Sequence, residues 1–289
     1  MPRLPPWIRL QMRADSQFAE VDTLVNRMLL NTVCQDAKCP NIHECWGRGT
    51  ATFMILGETC TRACTFCAVN SGRPALLDLD EPRRVAEAAA RMNLTYVVVT
   101  SVARDDLPDG GARLFADTIL ALREAKPDIG VEVLIPDFGG NERSMEIVLD
   151  ARPDVLNHNV ETVRRLQSVI RPQAAYGRTL AVLQAAARRS PGVVAKSGIM
   201  LGLGETEIEI EETLRDLLEA GCELLTMGQY LRPTRHHAQV DRFVEPAEFD
   251  AWARRGEEMG FKAVASGPMV RSSYKADQLL LSARMAAAI

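Results

Sequence analysis

Between residues 51 and 268, apolar runs of strand length alternate with amphipathic stretches of helix length, and this rhythm narrows the possible folds more than any other feature. The runs are ATFMILGE (51–58), YVVVTSV (96–102), GVEVLIPD (130–137), DVLNHNVE (154–161), AKSGIMLGLG (195–204), ELLTMGQYL (223–231) and FKAVASGP (261–268). Between them, apolar residues recur at helical spacing in EPRRVAEAAARM (81–92), ARLFADTILALREA (112–125), ERSMEIVLDA (142–151), 177–189, EIEIEETLRDLLEAG (207–221) and PAEFDAWARRGEEMG (246–260). The strands are too apolar to be half exposed, so they predict a parallel sheet covered by helices. A doubly wound open sheet and a (β/α) barrel both satisfy that rule. Polar residues at successive strand ends, in TSVARDD, PDFGGN, NHNVE, GLGET and GQYLRPT, favour a barrel mouth over a single crevice. The expected fold class is α/β: a partial (β/α)6 TIM-type barrel over 51–265, with N-terminal (1–50) and C-terminal (266–289) extensions covering its mouth.

A formal charge of −4 argues against nucleic acid as the main partner, which would show as a basic surplus. No apolar run approaches the roughly 18–20 residues of a membrane span. The N-terminal stretch carries Arg3 and Arg9 but no apolar core of a secretory signal. A cytoplasmic setting follows, in which thiols stay reduced and clustered cysteines bind metal more often than they pair.

Six of the seven cysteines fall in two triplets. Cys60, Cys64 and Cys67, spaced C-x3-C-x2-C, come directly after the first apolar run. Three thiolates on one loop can each hold a corner of a [4Fe–4S] cubane, leaving the fourth iron for a small molecule. The alternative is a zinc loop completed by a distant histidine, although zinc sites favour C-x2-C pairs. Cys34, Cys39 and Cys45, spaced C-x4-C-x5-C, precede the sheet. They offer three corners of a second cluster, or the structural thiols of a flap with His43 on zinc. The remaining cysteine, Cys222 in EAGCELL, stands between a helix end and a strand and reads as a small buried hydrophobe.

With Phe66 directly before Cys67, the second triplet resembles the signature of the radical S-adenosylmethionine (SAM) superfamily. The first triplet, in DAKCPNIHECW, together with RSSY near the C-terminus, resembles the lipoyl synthase family. The likeness runs in order through DEPRRVAEA, TSVARDDLPDGGA, DVLNHNVETVRRL, KSGIMLGLGET, MGQYLRPT and GPMVRSSYKA, from about Pro6 to Ala276, with small departures at Gly177 and Thr179. The resemblance implies that S-adenosyl-L-methionine chelates the open iron of the Cys60, Cys64 and Cys67 cluster and is cleaved to a 5′-deoxyadenosyl radical. It further implies an auxiliary [4Fe–4S] cluster on Cys34, Cys39 and Cys45, completed by Ser273, or alternatively Ser272, and consumed as the sulfur source. Two sulfur atoms then enter a lysine-bound octanoyl chain at C6 and C8 to give the lipoyl group, with one SAM spent on each C–H bond. Implied partners are an octanoylated lipoyl carrier domain (a 2-oxoacid dehydrogenase E2 subunit or the glycine-cleavage H protein), an electron donor such as ferredoxin or flavodoxin, and an iron–sulfur carrier for cluster repair. Without the resemblance, SSY reads as a cap of the last helix. The rival readings are another radical SAM sulfur-inserting enzyme, an electron carrier and a zinc-binding module.

The remaining candidates are polar or glycine residues at strand ends. GIMLGLGE (198–205) resembles the family's glycine-bearing strand beside the adenine. The resemblance implies that Gly202 and Gly204 let backbone approach that ligand, with Glu205 fixing the following turn. Glycine also ends strands for purely local reasons. Asn157, Asn159 and Glu161 alternate, so period two puts them on one face. There they serve ribose hydroxyls, or form an internal network with Arg171 or Lys196. Thr100 and Ser101 are candidates for the methionyl end of the cofactor. The loop of Arg104, Asp105 and Asp106 receives no individual role. His236 and His237, with Arg232 and Arg235, form either a basic rim for an acidic carrier domain or a solvated turn.

Overall fold

The computed structural model describes residues 4–8, 16–48, 50–189 and 192–286; Arg3 and Arg9 lie outside the described residues. The chain forms two compact units, one of residues 10–62 and 68–155, the other of residues 1–9, 63–67 and 156–289.

In the first unit, helix α1 (Ser16–Arg27), strand β1 (Asn31–Thr32) and the short helices α2 (Val33–Asp36) and α3 (Ile42–Trp46) precede strand β2 (Thr52–Ile55). A two-residue pair, β3 (Thr59–Cys60) and β4 (Asn70–Ser71), brackets the second cysteine triplet. Helix α4 (Glu81–Arg91), strand β5 (Tyr96–Ser101), helix α5 (Ala112–Ala125), strand β6 (Gly130–Leu134) and helix α6 (Glu142–Asp150) follow. Strands β2, β5 and β6 run parallel, with Thr52 beside Val98 and Tyr96 beside Gly130, while β1 joins β2 antiparallel. Val97, Val98 and Val99 are all buried, so β5 is covered on both faces as its sequence requires.

Strand β7 (Val155–Asn157) spans the division between the units. The second unit continues with helices α7 (Gln167–Ile170) and α8 (Tyr176–Arg189), then strand β8 (Val194–Leu201), helix α9 (Glu207–Glu219), strand β9 (Leu224–Gln229), helix α10 (Pro246–Met259), strand β10 (Ala263–Gly267) and helix α11 (Ala276–Ala286). Strands β8, β9 and β10 are parallel neighbours, with Lys196 beside Leu224 and Ala263 beside Leu224 on its other side. Leu214 and Leu217 of α9 and Phe249 of α10 bury against Ile199, Leu225 and Met227. Helix α9 starts at a capping box: Thr206 accepts from the Glu209 N–H, and Glu209 accepts from the Thr206 N–H. The fold class is thus α/β with parallel strands, as the alternation predicts. Among the described residues no helix is long and apolar enough to cross a membrane.

Candidate metal centres

Cys60 ends β3, where its carbonyl accepts from the Gly72 N–H at 2.9 Å. Its sulfur accepts two backbone N–H groups, from Ala103 at 3.3 Å and Arg62 at 3.4 Å. That surrounding suits a thiolate, because each donor offsets negative charge on sulfur. Arg62, two residues on, is buried and donates to Asp105 at 2.6 and 2.8 Å and to Asp137 at 2.6 Å. Burial alone would lower the guanidinium pKa, but the bonds and charges of Asp105 and Asp137 outweigh it and raise the pKa. In turn, Arg62 holds Asp105 below the usual carboxylate range. The two aspartates stand after β5 and β6, so strand ends of this unit fix the start of the cysteine loop. Thr100 donates to the Leu134 carbonyl at 3.0 Å, whereas the buried Ser101 hydroxyl oxygen has no partner. Arg104 spends its guanidinium on Asp106 and on the Leu56 and Ala75 carbonyls.

The rest of that loop packs in the second unit. Thr65 donates its N–H to the Ile170 carbonyl at 3.0 Å and accepts at its own carbonyl from Ala238 at 2.8 Å. Cys67 donates its N–H to the Cys64 carbonyl at 3.1 Å. The Cys67 carbonyl lies 2.9 Å from His237 Nε2, and Nδ1 of that ring lies 2.8 Å from the Thr234 hydroxyl. A carbonyl only accepts, so Nε2 carries the proton and Nδ1 accepts from Thr234 in the neutral ring. Arg232 donates to the His237 and Arg235 carbonyls, its own loop. Of the proposed basic rim, Arg235 and His236 are exposed, while Arg232 and His237 face the chain. Phe66 packs with Ile170, Leu203 and Tyr230.

Strand β7 stops at Asn157, and the alternation expected through Glu161 does not hold. The His158 N–H bonds to the Lys196 carbonyl, but the next bond to β8 runs from Glu161 to the Gly198 carbonyl, so three residues step against two. One extra residue is therefore inserted, as in a β-bulge. Ser197 repairs the gap by donating to the His158 carbonyl at 3.0 Å and accepting from the Val160 N–H at 3.1 Å. Glu161 lies at φ 65°, and its carboxylate accepts from Asn159 Nδ2 at 3.0 Å. Arg171 donates to the Asn159 carbonyl at 2.8 Å. Burial pushes the Glu161 carboxyl up, partly opposed by the Arg171 charge and the Asn159 bond. Asn159 thus joins Glu161 and Arg171 in the internal network that period two placed among the options, yet its buried Oδ1 has no partner. Gly198 leaves room for this cluster: a Cβ there would stand 2.6 Å from the Thr226 hydroxyl and 2.8 Å from Asn159 Oδ1.

Gly202 and Gly204 follow β8 at φ 97° and 98°. A Cβ on Gly202 would stand 2.2 Å from Gln229 Nε2, so packing within the unit by itself requires this glycine. Glu205 accepts from the N–H groups of Gly202 at 2.6 Å and Leu203 at 2.9 Å, the turn-fixing role expected of it.

The first triplet lies on α2, α3 and the turn joining them. The Cys39 N–H bonds to the Cys34 carbonyl at 3.0 Å, and the Cys45 N–H to the Asn41 carbonyl at 2.9 Å. Burial, then the neighbouring Cys39, pushes the Cys34 thiol up to about 11. Burial, then Cys34 and Cys39, pushes Cys45 up to about 12. The three sulfurs therefore share one neighbourhood in which ionising them is costly unless a cation such as iron takes the thiolates. Beside them Trp46 is 1 % exposed, and its buried indole N–H has no hydrogen-bond partner of ordinary geometry. An indole N–H beside buried thiols suits a sulfur-rich group. Among the described residues, no three His, Cys, Asp or Glu side chains are placed to hold a single metal ion. The ring of His43 stacks on Phe18 at 4.9 Å.

Ser272 and Ser273 occupy the turn before α11, which begins at Ala276 after Lys275 at φ 50°. Lys275, not a serine, directly precedes Ala276, so neither serine holds the N-cap position that the capping reading of SSY requires. The turn is seated against β9, where Gly228 lets the Val270 backbone pass: a Cβ there would stand 2.1 Å from the Val270 oxygen. Cys222 is buried in the core, its sulfur 3.2 Å from the Leu224 carbonyl, and burial pushes its thiol up.

Arg62, Asp137, Trp46, Gly228 and the grip of His237 on Cys67 are not assigned by sequence reasoning. Two of them carry a readable signal. A charged residue between two site cysteines needs a partner once buried, and glycine inside a strand marks close backbone approach.

The family model of the radical SAM superfamily matches residues 54–217. A lipoyl synthase of Symbiobacterium thermophilum is 55% identical over 276 residues, covering 96% of this chain and 86% of that protein. One from Rubrobacter xylanophilus is 53% identical over 283 residues, covering 98% of this chain and 88% of that protein. Among solved structures, HydG, a maturase of the [FeFe]-hydrogenase, aligns with a TM-score of 0.58 at 16% identity, covering 80% of this chain and 54% of that one, a likeness of fold alone.

Proposed function

We propose roles for individual residues on one premise: the chain belongs to the lipoyl synthase family of radical SAM enzymes. Its activity is sulfur insertion into a protein-bound octanoyl chain to give the lipoyl group. The observation that carries this reading is identity above half along nearly the whole chain, with both cysteine triplets inside the matched span.

When bound, a [4Fe–4S] cluster with S-adenosylmethionine supplies a radical that removes hydrogen atoms from unactivated carbon, and an auxiliary cluster supplies sulfur. Cys60, Cys64 and Cys67 hold the first group. The Ala103 and Arg62 N–H groups stabilise the Cys60 thiolate, and Arg62 and His237 fix the two ends of the loop. Ser101 and Asn159, whose buried oxygens lack partners, Glu161 and Arg171 are suited to the polar parts of S-adenosylmethionine. Gly202, Gly204 and Phe66 keep their family assignments beside it. Cys34, Cys39 and Cys45 hold the auxiliary group, with Ser273 as its fourth ligand. An oxygen donor is poorly matched to iron otherwise bound by soft sulfur, so that corner releases most readily. A substrate between radical and sulfur must sit within near-attack distance of both.

The octanoyl chain arrives on a lipoyl carrier domain, electrons from a ferredoxin- or flavodoxin-type donor, and replacement sulfur from an iron–sulfur carrier. A reducing cytoplasm suits the free thiols. The test is anaerobic reconstitution followed by S-adenosylmethionine, dithionite and an octanoyl-lysyl peptide. Formation of 5′-deoxyadenosine with a peptide that gains sulfur is expected. Cofactor cleavage without sulfur gain would point to a different substrate, and zinc in place of iron and sulfide would overturn the reading.

A further inference from the structure

We infer that Ser197 is a positioning residue for cofactor binding: its buried hydroxyl clamps the two peptide groups that flank Asn159 and so aims the Asn159 side chain. The inference rests on the reading that Asn159 serves S-adenosylmethionine. Residues 195, 197 and 199 of β8 share a face by period two, and Ala195 and Ile199 belong to the apolar cluster that includes Leu217 of α9 and Phe249 of α10. Ser197 is fully buried on that apolar face. A hydroxyl there is costly unless it is bonded, and Ser197 spends its oxygen on the neighbouring strand. It donates to the His158 carbonyl at 3.0 Å and accepts from the Val160 N–H at 3.1 Å. The first group belongs to the peptide before Asn159 and the second to the peptide after it. One hydroxyl therefore fixes the backbone on both sides of Asn159, within the bulge.

The side chain of Asn159 shows what that grip achieves. Its Nδ2 donates to Glu161 at 3.0 Å, and Arg171 holds its carbonyl at 2.8 Å. Buried Oδ1 is left as an acceptor without a donor, which in a native protein calls for an explanation. Oδ1 stands on the Gly198 side of β8, where a Cβ would come within 2.8 Å of it. Neighbouring residues of a strand face opposite ways, so Ser197 points away from any group that Oδ1 accepts from and acts through backbone alone. The same turn continues to Glu161 at φ 65°, a left-handed conformation that is costly for a residue with a Cβ. Two bonds of 2.9 Å to β8 hold it there, from its N–H to the Gly198 carbonyl and from the Met200 N–H to its own carbonyl. Deleting the Ser197 hydroxyl takes this acceptor from the Val160 N–H and lets the peptide groups beside Asn159 rotate, so Oδ1 loses its aim.

The test uses the full chain after anaerobic reconstitution with iron and sulfide, and reads S-adenosylmethionine binding by calorimetry without reductant. Ser197→Ala is expected to weaken binding about tenfold, the worth of about one hydrogen bond, at unchanged iron and sulfide content. Ile119→Val truncates a buried side chain of α5 in the other unit, lowers stability comparably and should leave affinity unchanged. Asn159→Ala should also weaken binding, and adding Ser197→Ala to it should cost little more, because the group being aimed is gone. Parental affinity in Ser197→Ala, an equal loss in both backgrounds, or an equal loss in Ile119→Val would overturn the inference. Parental affinity in Asn159→Ala would instead overturn the assignment of Asn159 to the cofactor. Should Ser197→Ala not fold, Ser197→Cys, similar in shape but a weak donor and acceptor, takes its place under the same outcomes.

Discussion

Replacing Arg62 by methionine keeps a stem of similar length and removes the guanidinium that ties the start of the cysteine loop to two strand ends. The two carboxylates left behind differ in consequence. The Asp105 side chain is 42% exposed and that of Asp137 is 1% exposed. An exposed ion pair is worth about 0–1 kcal/mol, whereas deleting one partner of a buried pair costs about 3–5 kcal/mol because the other charge stays uncompensated. Asp137 retains the Gly139 N–H at 3.0 Å, which places the expected loss near the lower end, about 3 kcal/mol. Urea unfolding of the apo chain at neutral pH, followed by circular dichroism, measures it. Asp137→Asn and the double variant complete a cycle, and the double variant should recover much of the loss, since asparagine leaves no charge behind. The Asp105 share has a sign in pH. Its folded pKa is depressed by Arg62, so that share is complete above about pH 4, the ordinary carboxylate value, and is lost as pH falls through the depressed value. An Arg62→Met loss below about 1 kcal/mol, or a double variant as unstable as the two singles added, would refute the idea that a buried pair anchors the loop.

The other expectations concern Glu161, Gly228 and Ser273. Glu161→Gln removes a carboxylate whose pKa burial raises, so the apo variant should be the more stable at neutral pH. That gain should vanish below about pH 4, where both folded and unfolded wild-type groups are protonated; denaturant melts across pH measure it, while S-adenosylmethionine binding should weaken. Gly228→Ala places a Cβ against the Val270 backbone and should displace the turn bearing Ser273. Iron bound by a chain that retains only the first triplet should then fall, and full iron content would refute the displacement. Ser273→Cys should keep the auxiliary cluster by iron and sulfide analysis yet impair sulfur transfer; full product from an intact cluster would refute the lability of the oxygen-bound corner.

Much of this protein is legible one residue at a time. Helix α5 runs from Ala112 to Ala125, the span its pattern predicts, and α9 opens at the Thr206–Glu209 box. Alternation of buried strands and amphipathic helices is local chemistry, because burial on both faces of YVVVTS is written into consecutive apolar side chains. Cysteine spacing is equally local, since loop length limits where three thiolates can reach. The strand through NHNVE is another matter. Its alternation is intact in the sequence, but β8 decides its path by offering two residues where the first strand uses three, and Ser197 stabilises the mismatch. Partnership was decided at the same level. Nothing near Arg62 in sequence predicts Asp137, and nothing near Cys67 predicts His237. Spacing along the chain determines which groups are available to a site. Which of them are buried, paired or left unspent depends on what distant strands and loops bring within hydrogen-bonding range, and only the tertiary structure decides that.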